Sequence, residues 1–89
     1  MLYPFMTLND NTEITHSELL PDGRVRVNVE RPVNMGFHSA VCMLPSYEWE
    51  DVKGFSEGDL SEFREIIEST AHLIMEYSQT GGFENASGF

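Results

Sequence analysis

The apolar residues of this chain change their spacing once, and that change sets the fold class. In Arg24–Glu30, Val25, Val27 and Val29 alternate with Arg24, Arg26, Asn28 and Glu30, the period-two signature of a strand with one covered and one open face. From Leu60 onward, Phe63, Ile66, Ile67, Ala71, Leu73, Ile74 and Tyr77 fall on one broad stripe at about 100° per residue, as in an amphipathic helix. The pattern predicts an α+β domain: a three- to four-stranded antiparallel sheet followed by one long C-terminal helix packed on one face. The 89 residues suit one domain, expected over residues 1–82 with a flexible tail over 83–89.

Turn chemistry divides the first half. Tyr3–Leu8 is a short apolar run broken by Asn9-Asp10-Asn11, and Glu13–Leu20 is a mixed segment closed by Pro21-Asp22-Gly23, where proline presets φ and glycine accepts a positive one. Pro32 is expected to end the valine strand, with Val33–Gly36 as a loop. Phe37–Leu44 is apolar on both sides, as a central strand is. Pro45–Phe55 reads as a connection. Ser56 is a suitable helix N-cap with Asp59 three residues on, close to the capping-box spacing, and Phe55 with Leu60 fits a hydrophobic staple. Gly81-Gly82 is expected to stop the helix.

Charge narrows the function classes. Fifteen acidic residues against five basic ones give a net charge of −10, which disfavours direct binding to nucleic acid or to anionic membrane surfaces. The field attracts a basic protein surface; acidity also simply keeps a small protein in solution. Cys42 is the single cysteine, so no internal disulfide forms and a reducing compartment is expected. The N-terminus MLYPFMTLND has neither a basic region nor a long apolar run, so a cytoplasmic location without a membrane span is expected.

The helix carries the clearest candidate site. Glu62, Glu65, Glu68, His72 and Glu76 are spaced to share its polar side. They read as a solvated face, an acidic docking ridge, or a metal site, though one helical stripe supplies few converging ligands. Tyr47 and Trp49 sit among acidic neighbours; they either grip a basic partner or fold under the helix and close the core. No nucleophile elbow, phosphate loop, CxxC pair or HExxH helix is present. The expectation is therefore a non-enzymatic protein with no catalytic, metal or cofactor residues. Its leading function is engagement of a basic protein partner, by neutralising a toxin or mimicking nucleic acid. The alternative is a self-associating structural module, pairing through the uncovered sheet face or the strand edge near Phe37–Leu44.

The stretch Arg24–Tyr77, with Met43-Leu44-Pro45, Gly54-Phe55-Ser56 and Leu60-Ser61-Glu62 as markers, resembles the HicB-like antitoxin domain, a partial RNase-H-like fold. The connection before the helix is longer than in that family, and its Gly-aromatic strand motif is not evident. The resemblance implies an acidic protein that sequesters a small basic RNA-cleaving toxin.

Overall fold

The computed structural model describes residues 1–80; the expected helix stop at Gly81-Gly82 and the tail over 83–89 lie outside the described residues. The chain forms an antiparallel meander of β1 (Leu2–Thr7), β2 (Glu13–Ser17), β3 (Val25–Val33), β4 (Gly36–Leu44) and β5 (Glu48–Lys53), then helix α1 (Glu57–Thr80). Strands lie in sequence order across one sheet.

The α+β architecture is as expected, but the sheet has five strands rather than three to four. The segment Tyr3–Leu8 supplies β1, and the expected connection after Pro45 contains β5. Its acidic residues hide the strand, because only Trp49 of Glu48–Lys53 is half-buried. Pairing of Trp49 with Cys42 on β4 places the indole toward the core. Nor does Pro32 end β3, since it pairs with Phe37. The β2–β3 ladder runs only from Glu13↔Glu30 to His16↔Val27. Pro32 is thus beyond the reach of β2, at a local edge where its missing N–H is tolerated. β4 lies between β3 and β5, and only its residues before Ser39 lack a partner on the β5 side.

The turns follow their side chains. Asp10 Oδ1 accepts the Thr12 amide at 3.1 Å, and Asn11 takes φ +67°, a value that asparagine tolerates. Gly23 takes φ +84° in the hairpin where the Leu20 amide donates to the Arg24 carbonyl at 2.9 Å. The β3–β4 turn is unusual, because Met35 adopts φ +66°.

The valine face and the helical stripe meet as anticipated. Val25, Val27, Val29, Ile14, Ala40, Cys42 and Leu44 form one core with Phe63, Ile67 and Ile74 of α1. Each such side chain is worth roughly 1.5–3 kcal/mol when fully buried. Ser56 and Asp59 close a capping box: the Asp59 amide donates to Ser56 Oγ at 3.1 Å, and the Ser56 amide to Asp59 Oδ2 at 3.0 Å. One helix covers one face. The other carries Arg26, Asn28 and Glu30 of β3 with Ser39, Val41 and Met43 of β4.

Candidate functional site

The long outward face of α1 is a line of carboxylates. Glu62, Glu65, Glu68, His72 and Glu76 are all exposed. From Glu62 to Glu76 the line runs about 21 Å at a rise of about 1.5 Å per residue. Glu62, Glu65 and Glu76 make no ion pair among the described residues, whereas Arg64 Nε donates to Glu68 Oε1 at 2.6 Å. The opposite charges are elsewhere. Arg24 is held by Asp22 at 2.7 Å and Arg31 by Asp10 at 3.0 Å, while Arg26 and Lys53 point to the open sheet face by their register. The outward side of the helix is thus a nearly uncompensated negative stripe.

Tyr47 and Trp49 are half-buried and pack against the core. The Arg64 guanidinium lies 5.2 Å from the Tyr47 ring centre, a cation–π contact that joins the β4–β5 turn to the helix beside Glu68. The structure therefore places the five helical residues on one surface, with Tyr47 at its border and Trp49 beneath the helix side of the sheet.

Sequence reasoning missed the end of the molecule organised by Arg31. This residue lies on the core face of β3, opposite His38. Its Nε donates to Thr12 Oγ1 at 2.9 Å, and its guanidinium stacks 5.2 Å from Phe55 and 5.5 Å from Phe63. Hydrogen bonds from Thr12, with Arg31 nearby, hold the Asp10 carboxyl below its ordinary value. The Ser56 amide and hydroxyl do the same for Asp59, with Arg31 and His38 adding to the effect. Beside this cluster is an open depression of about 410 Å³, lined by Met6, Leu8, Asp10, Arg31, Glu62 and Ile66 among others. Its lining mixes apolar side chains with Glu62 and with Asp10, which is paired to the Arg31 guanidinium at 3.0 Å. Glu62 belongs both to this lining and to the helix ridge. A signal was present in the sequence, since Arg31 continues the alternation of Val25, Val27 and Val29 and so had to point inward.

Burial pushes the Cys42 thiol up to about 11, against a smaller opposing influence from Arg64. A thiol protonated at neutral pH is not poised as a nucleophile. Among the described residues no group of three or more His, Cys, Asp or Glu is placed to hold a metal ion, and no helix is long and apolar enough to cross a membrane. No protein-family model, no curated protein and no solved structure matches the chain.

Proposed function

We propose that this protein is a non-enzymatic acidic binder that occupies a basic surface of another protein in the cytoplasm, as a toxin-neutralising or nucleic-acid-mimicking inhibitor. One observation carries the reading: the outward face of α1 presents exposed carboxylates over about 21 Å, while each neighbouring cation is paired or faces elsewhere. Successive ridge positions rise by about 4.5–6 Å. A nucleic-acid strand advances about 3.4 Å per phosphate, so the ridge offers about one carboxylate for every one to two phosphates. A surface evolved to hold phosphates would find charge at a usable density on a rigid support. The resemblance to HicB-like antitoxin domains points toward a small basic toxin as the partner.

The test is capture from an extract of the native host on immobilised protein, with the Glu62→Lys, Glu65→Lys, Glu76→Lys variant in parallel. The expected result is a basic protein held by the wild type at low salt, released as salt rises, and absent from the variant. Equal retention on both would end the ridge reading.

A further inference from the structure

The open face of the sheet is built in cross-strand rows that complement their own copy. The central row holds Thr15, Asn28, Val41 and Glu50. On one side lies the row of Arg26 and Glu48, and on the other the row of Glu13, Glu30 and Lys53. None of these five charged side chains makes an ion pair among the described residues. Thr15 Oγ1 and Asn28 Oδ1, side by side in the central row, are buried atoms without a hydrogen-bond partner.

We propose that this face is an isologous interface with a second copy of the chain. The two-fold axis lies between the two sheets, crossing the strands along the Asn28 row. That operation exchanges the two flanking rows. Arg26 of β3 then faces Glu30 of the second copy, and Glu48 of β5 faces its Lys53. Asn28 and Thr15 meet their own counterparts. On β4 the register places Phe37, 64% exposed, over the exposed Pro45 of the second copy. The charge pattern also selects the axis. A two-fold running along β3 would stack Arg26 on Arg26 and Glu30 on Glu30, an arrangement that like-charge repulsion rejects. The face measures roughly 20 by 25 Å, on the order of 500 Å² before side-chain relief is counted. Two such faces bury on the order of 1,000 Å² in total, the low end for a specific pair, so the whole face is engaged rather than a corner of it. Aligned sheets cross at about 30°, and near the axis that rotation stays within the reach of Arg26. Two positions oppose association: Glu50 meets its own copy at the rim, and Glu13 has no cation across from it.

The helix ridge lies on the other side of the molecule, so this inference stands apart from the proposed function and uses different variants. Sedimentation of the full chain decides it. The wild type is expected to run as a dimer at moderate salt, which screens the repulsion between two chains of charge −10. Arg26→Glu and Glu30→Arg are each expected to weaken the dimer about tenfold or more. An equimolar mixture of the two variants is expected to restore it, since each introduced charge meets its opposite across the axis. Within one chain the two positions are four residues apart along a strand and do not touch, so local pairing does not explain such a rescue. Glu50→Gln is expected to tighten the dimer. If circular dichroism shows either β3 variant unfolded, Lys53→Glu mixed with Glu48→Lys gives the same reading from the exposed β5. A wild type that is monomeric at every attainable concentration, a dimer indifferent to the reversals, or a mixture without rescue overturns the proposal.

Discussion

Gly54 takes φ +87°, and a Cβ placed there would land in the ring of His38. The bend that delivers the chain from β5 to the helix therefore needs a residue without a side chain, for conformation and for space at once. Met35 shows the contrary case, with φ +66° and a fully exposed side chain; the strain there serves no contact within the chain. Opposite signs are expected: Gly54→Ala should lower stability by more than about 1 kcal/mol, and Met35→Asn should raise it by up to about 1 kcal/mol. Denaturant titration of both variants checks the pair, and a stable Gly54→Ala protein would contradict the packing against His38. Little of this is visible in the sequence. The glycine after Lys53 marks a turn, but its neighbour His38 comes from a different strand. Nothing in Asn34-Met35-Gly36 assigns the positive φ to the methionine, because both flanking residues adopt it more readily.

At the scale of elements, the helix was legible and the edge strand was not. Ser56, Asp59, Phe55 and Leu60 announce the start of α1 through local interactions alone, and the reciprocal hydrogen bonds form as that spacing implies. β5 lacks such signals because its stability comes from pairing with β4 and from one buried face at Trp49. Its carboxylates and the bulge near Asp51, with φ +51°, are also the features that keep an edge strand from recruiting other chains. The capping box carries a pH prediction. Asp59 lies below its ordinary 3.8, chiefly through the Ser56 amide and hydroxyl. A depressed folded value means that its contribution is complete above the ordinary value and is lost as pH falls through the depressed one. The melting temperature of the wild type should therefore fall more steeply below about pH 4 than that of Asp59→Asn, whose amide keeps an acceptor without titrating. Equal acid slopes would remove Asp59 from the account of helix initiation.

For the whole molecule, the organising property is the separation of charge between two faces. The ridge positions Glu62, Glu65, Glu68, His72 and Glu76 follow from helical spacing, which is why the candidate site could be read before the fold was known. The rows on the open sheet face could not. They depend on the register of three strand pairs, on the bulge between Ser39 and Val41 opposite β5, and on turn lengths that no periodicity encodes. The two surfaces also respond to salt differently, since a basic partner on the ridge is released by screening, while on the sheet screening weakens the cross-copy ion pairs and the repulsion between like-charged chains together. That difference makes salt the most direct probe of the central claim. The measurement is the affinity of the captured partner, by isothermal titration calorimetry, across a range of ionic strength. An affinity that falls steadily as salt rises, with a slope flattened by Glu62→Lys, Glu65→Lys, Glu76→Lys, is the result this account predicts. An affinity that is flat or rises with salt would contradict it.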